Sequence, residues 1–122
     1  MSFDALYGLE VTECSDSLVR GSVPVRADLT QPAGSVHGGV YSAVAESLAA
    51  RGTAEEVGPE GKIAIGFSQQ TTTLHPVTAG TIHATAVRRH RGRTTWVWEV
   101  EISDDEQRRC AVARVTIAVR DS

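Results

Sequence analysis

Two hydrophobic periods divide this chain. Ser17 to Val25 alternates through Leu18, Arg20, Ser22 and Val23, the period of two expected of a half-buried strand. Leu9 to Glu13 reads as its partner, and Ser15-Asp16 as the turn of an antiparallel hairpin. Residues 2–8 leave room for one helical turn closed by Gly8. From about Gly38 to Val57 the period becomes helical. Val40, Val44 and Leu48 fall on one stripe, with Ala43, Ala45, Ala49 and Ala50 beside it. Side chains this small let a sheet approach closely. Glu55, Glu56, Gly58 and Pro59 end the pattern.

The period then returns to two. Lys62 to Leu74 runs through Ile63, Ile65 and Phe67 and is stopped by His75-Pro76. Thr81 to Arg89, Thr94 to Ile102 and Cys110 to Val119 follow, separated by turns at Gly92 and Asp104-Asp105. Trp96 and Trp98 share a strand face, and we expect them on the outer face of the sheet or at a subunit contact, with Tyr41 a comparable case. A hairpin, one long helix and a run of strands predict an α+β fold, in which a curved antiparallel sheet wraps around a single helix.

Between the hairpin and the helix lies a polar loop, residues 26–37, punctuated by Asp28, Pro32, Gly34 and Ser35. It runs through Gln31 and His37 into Gly38-Gly39 at the helix start. A helix N-terminus offers free N–H donors and a positive dipole end, which suits a developing negative charge. Glu46 stands alone among alanines and valines, a costly place for a carboxylate without work or a partner. The structural alternative is an ion pair with an arginine.

Composition narrows the field. With 122 residues, 41% hydrophobic and 22% charged, the chain has the size and balance of one globular domain, expected to span residues 1–122. A net charge of −3 argues against a general nucleic-acid surface. Cys14 and Cys110 have no metal-type spacing, nor do His75, His83 and His90. The acidic N-terminal stretch has no signal-like apolar run, so the expected setting is cytoplasmic, without metal or membrane.

The set Gln31, His37, Gly38-Gly39 and Glu46, with an acid eight residues after the first glycine, resembles the hotdog-fold acyl-CoA thioesterases. It is most similar to the phenylacetate-pathway (PaaI-like) and 4-hydroxybenzoyl-CoA branch, in the variant that carries Gln and Glu for the commoner Asn and Asp. That branch has a threonine one helical turn after the acid, where this chain has Ala50. The resemblance implies hydrolysis of an aromatic acyl-CoA, with CoA as part of the substrate and no separate cofactor. Gly38 would present its N–H to the thioester oxygen, Gln31 would orient substrate or water, and Glu46 would attack or activate water. Candidate substrate contacts are His37, Gly39 and Ser47, although His37 more naturally holds the loop through its ring. Broader medium-chain hydrolysis and a non-catalytic acyl-CoA sensor are the alternatives. A sensor has no use for the carboxylate.

Eight helical residues span roughly 12 Å at 1.5 Å each, whereas a base must come within about 3–3.5 Å of its target. Gly38 and Glu46 of one helix therefore do not reach one carbonyl. A homodimer with antiparallel helices brings Gly38 of one chain to Glu46 of the other, as the resemblance also implies, and a dimer of dimers is the expected assembly. The second basic feature is Arg88-Arg89-His90-Arg91-Gly92-Arg93 at a hairpin turn. Arg91, Arg93 and Thr94 are the candidates for holding CoA phosphates; a solvated hairpin tip is the plain alternative.

Overall fold

The computed structural model describes residues 2–122. A five-residue helix, α1 (Phe3–Tyr7), is capped by the Ser2 hydroxyl and closed by Gly8 at φ 87°, a left-handed position that glycine takes without strain. Strands β1 (Glu10–Cys14) and β2 (Leu18–Pro24) form the expected hairpin. A 3-10 turn (Ala27–Leu29) leads to α2 (Gly38–Val57), and then come β3 (Lys62–Thr73), β4 (Thr81–Arg91), β5 (Thr95–Ser103) and β6 (Arg109–Asp121).

Among the described residues these strands make one antiparallel sheet of six in the order β1-β2-β4-β5-β6-β3. β4, β5 and β6 are joined in sequence by short turns. β3 instead crosses to the far side, pairs only with β6, and leaves its other edge open. α2 packs against all six strands, which is the hotdog arrangement. Among the described residues no helix is long and apolar enough to cross a membrane.

Small side chains set the helix-to-sheet distance. A Cβ on Gly52 would lie 2.4 Å from Cη2 of Trp98 and 2.8 Å from Cγ2 of Val19, so only glycine fits there. A glycine inside a helix costs about 1 kcal/mol relative to alanine. Here it admits an indole. Trp96 and Trp98 are both buried beneath α2, with ring centroids 6.4 Å apart, rather than on the outer face. Tyr41 is buried in the same core. The alternation of β5 identifies two faces but not which of them the helix covers, and that choice reverses the expectation for the tryptophans. The Trp98 indole N–H donates to Thr53 Oγ1 at 3.0 Å, and Thr53 in turn donates to the Ala49 carbonyl. The two cysteines are free, Cys14 exposed and Cys110 buried.

Candidate active site

The loop before α2 is held by its own side chains. Gln31 Nε2 donates to Ser35 Oγ at 2.8 Å, and Gln31 Oε1 accepts from the Ala33 N–H at 2.9 Å. In this chain the Gln31 amide therefore shapes the turn, with one amide hydrogen left to offer. His37 is the N-cap of α2: its Nδ1 accepts from the Gly39 N–H at 2.8 Å, and its carbonyl accepts from the Val40 N–H. Among the described residues nothing accepts from the Gly38 N–H. The cap thus spends the donor on one side of Gly38 and leaves that of Gly38 at an exposed helix start. A Cβ on Gly38 would meet only Thr73 Oγ1, at 3.7 Å.

Glu46 lies two turns further along α2 and is exposed in the single chain. It sits over β3, beside the sheet's open edge. Gln69 Nε2 donates to Glu46 Oε1 at 3.3 Å and to the Ser42 carbonyl at 3.1 Å, while Thr71 Oγ1 donates to Gln69 Oε1 at 2.8 Å. The carboxylate is aimed by a strand rather than by an arginine: no cation forms an ion pair with it among the described residues. Gln69 and Gly66, the latter beneath the carboxylate, are not singled out by the sequence pattern. A glycine inside a strand pattern was the available signal, since it marks a bulge or a close approach. The register does shift between Gly66 and Ser68.

Ser47 points elsewhere. Its hydroxyl donates to Asp4 Oδ1 at 2.6 Å, and Arg51 Nη2 reaches Asp4 Oδ2 at 3.1 Å, so α1 is clamped to the flank of α2. Burial alone would raise the Asp4 carboxyl, but hydrogen bonds from Ser47, Arg51 and Tyr7 outweigh it and hold Asp4 below its ordinary 3.8. Burial above all pushes the Tyr7 phenol up to about 12, so it remains a donor. On the α1 side of this flank lies a cavity of about 510 Å³ whose wall includes His37, Gly39, Val40 and Ala43.

The arginine cluster sits at the other end of α2. Arg91 forms an ion pair with Glu56, lies 3.6 Å from Asp16 and stacks over Trp96, which Arg88 also covers. Arg93 has no such carboxylate partner among the described residues. With Thr94, Lys62 and Arg120 it lines a groove of about 340 Å³. The predicted residues thus form three groups along one helix: Gln31, His37, Gly38 and Gly39 at its start, Glu46 in its middle, and the basic groove beyond its end.

Comparison with known proteins identifies the family and the fold. Residues 33–111 match the family model of the thioesterase superfamily. A 1,4-dihydroxy-2-naphthoyl-CoA hydrolase of Listeria monocytogenes is 33% identical, over 98% of this chain and 97% of that protein. The solved structure of a Pseudomonas aeruginosa thioesterase variant superposes with a TM-score of 0.92 at 30% identity, covering 98% of this chain and 86% of that one. A Staphylococcus aureus thioesterase variant gives a TM-score of 0.92 at 29% identity, over 96% and 97% of the two chains. With its family model matched across most of its length, on a sheet wrapped around one helix, the chain belongs to the thioesterase superfamily and is a thioester hydrolase of the hotdog fold.

Proposed function

We propose that this enzyme hydrolyses an aromatic acyl-CoA to the free acid and CoA, as a cytoplasmic homodimer that pairs again into a dimer of dimers. The observation that carries this reading is the unspent Gly38 N–H at the start of α2, with an exposed, hydrogen-bonded Glu46 two turns away. One helix does not bring the two to a common carbonyl, and an antiparallel partner helix does. The open edge of β3 supplies the contact surface. Ile63, Ile65 and Phe67 are 41%, 46% and 71% exposed there, and an unpaired apolar edge invites a second strand.

In the shared site, Gly38 of one chain donates to the thioester oxygen. Glu46 of the other either takes a proton from water as the water oxygen adds to the carbonyl carbon, or adds to that carbon itself. Negative charge gathers on the oxygen at the helix N-terminus, and CoA leaves as the thiolate when the carbonyl re-forms; where Glu46 itself has added, water then hydrolyses the acyl–Glu46 anhydride, which releases the acid and restores the carboxylate. Gln31 offers its remaining amide hydrogen to substrate or water. His37 and Gly39 frame the donor, and Ser47 supports the flank beside it. Arg93 and Thr94, with Arg91 alongside, hold the phosphates. Glu56, the ion-pair partner of Arg91, is ten residues beyond Glu46, which leaves the pantetheine arm about 15 Å to span.

The relatives support this assignment. One is named for an aromatic acyl-CoA, 1,4-dihydroxy-2-naphthoyl-CoA. The Staphylococcus aureus thioesterase has been solved with a glutamine replaced by alanine, and the same protein with a glutamate replaced. Those positions are fifteen residues apart, the spacing of Gln31 and Glu46. A panel of benzoyl-, phenylacetyl-, hexanoyl- and butanoyl-CoA, read by thiol release, tests the reading. Fastest turnover of an aryl member supports it, and preference for hexanoyl-CoA favours the broader medium-chain enzyme. Absence of turnover with every member favours the acyl-CoA sensor.

A further inference from the structure

The cavity beside the helix start has a wall that neither the fold nor the chemistry above explains. Phe3 and Leu6 of α1 line it and are 63% and 59% exposed. They stand three residues apart, hence on one face of the helix. Tyr7, Leu29, Val40 and Ala43 complete the apolar part of the lining. At about 510 Å³ the cavity falls within the roughly 300–1,000 Å³ usual for small-molecule sites.

An isolated five-residue helix does not persist in water. This one is fastened on both sides. Asp4 is held by Ser47 and Arg51 of α2, and Arg26 Nη2 donates to the Leu6 carbonyl at 2.7 Å while its Nε is paired with Asp28 at 2.6 Å. These polar clamps fix a helix whose exposed apolar residues then open onto the cavity. The cavity is continuous with the candidate site, because His37 and Gly39, the neighbours of the Gly38 donor on either side, both line it.

From this we infer that α1 is a specificity wall: Phe3 and Leu6, facing Val40 and Ala43, form the subsite for the aryl part of the acyl group. This rests on the thioesterase reading for the position of the thioester, and it adds which residues select the acyl chain. An acyl group whose carbonyl oxygen meets the Gly38 N–H has this cavity next to it. The Arg26–Asp28 pair at the rim leaves a polar margin for a ring substituent.

Two substitutions change the subsite in different ways. Leu6→Ala removes part of the wall, and Ala43→Leu fills the cavity from the helix side. For each, kcat/KM for benzoyl-CoA is divided by that for butanoyl-CoA. We expect this ratio to fall at least about ten-fold, the lower end of the effect of one methylene group in an apolar subsite. Equal loss on both substrates, or loss accompanied by dissociation of the oligomer, makes Phe3 and Leu6 a contact between copies and overturns the proposal. A second readout needs no turnover. Phenacyl-CoA, a thioether ketone that cannot be hydrolysed, is titrated against free CoA. Ala43→Leu should weaken phenacyl-CoA about ten-fold more than CoA, and equal effects on the two overturn the proposal. Should the unsubstituted enzyme hydrolyse no thioester while Ala43→Leu still selectively weakens phenacyl-CoA, the hydrolytic reading fails and the subsite stands.

Discussion

The Glu46 carboxyl group lies directly over the backbone of Gly66: a Cβ at that position would sit 2.5 Å from Glu46 Cδ and 2.6 Å from its Oε2. The strand thereby sets where the carboxylate stands. Gly66→Ala should move it by the better part of an ångström, and a displacement of about 1 Å can cost on the order of 100-fold in rate. We expect kcat to fall on that scale with the CD spectrum and oligomeric state retained. Turnover close to that of the unsubstituted enzyme would show that the carboxylate position does not matter.

Gln69 aims the same carboxylate from the side. Gln69→Ala removes donors to Glu46 Oε1 and to the Ser42 carbonyl. Its effect should fall on kcat, by about ten-fold, with KM little changed, because the side chain positions a reacting group rather than binding substrate. Steady-state kinetics on the best substrate of the panel would separate the two parameters.

Much of this was legible beforehand, for identifiable reasons. The bounds of α2 follow from local signals: glycines after His37, a stripe of small apolar residues, and Gly58-Pro59 at the end. Strand positions follow from the period of two. The place of β3 does not, because its pairing with β6 joins segments separated by the whole β4–β5 hairpin. Gly66 and Gln69 acquire their roles from that placement, so they surfaced only with the fold. The same limit applied to Trp96 and Trp98, whose spacing says that they share a face and is silent on which face. In the sequence Glu46 is an acid among apolar neighbours. Helical rotation turns it toward the open edge of β3 instead, away from the buried Ala45 and Ala49.

The core makes its own prediction. Thr53→Val keeps the shape of the side chain but leaves the buried Trp98 indole N–H without an acceptor. Stranding a buried donor costs about 1–3 kcal/mol. Denaturant unfolding should show a loss of that size with an unchanged m-value, and no loss would mean that the indole finds another partner.

Acid should loosen the clamp that holds α1 to α2. The Asp4 carboxyl is lowered in the folded chain, so its contribution is fully present above its ordinary 3.8. That contribution is lost as the pH falls through the lowered folded value. Asp4→Asn should therefore be less stable than the unsubstituted protein at neutral pH, and the gap in Tm should close on acidification to about pH 2. A gap independent of pH would mean that the clamp acts through shape rather than charge.

The division of one site between two chains is the central claim, and subunit mixing tests it most directly. Glu46→Ala removes the carboxylate. Gly38→Pro removes the unspent N–H at the first position of α2, where proline is well tolerated, and the extended backbone of His37 suits a following proline. Each variant alone should be inactive. Unfolded together in equal amounts and refolded, they should recover about a quarter of the original activity, since half the dimers are mixed and each mixed dimer holds one intact site of two. A mixture as inactive as its components would contradict the shared site.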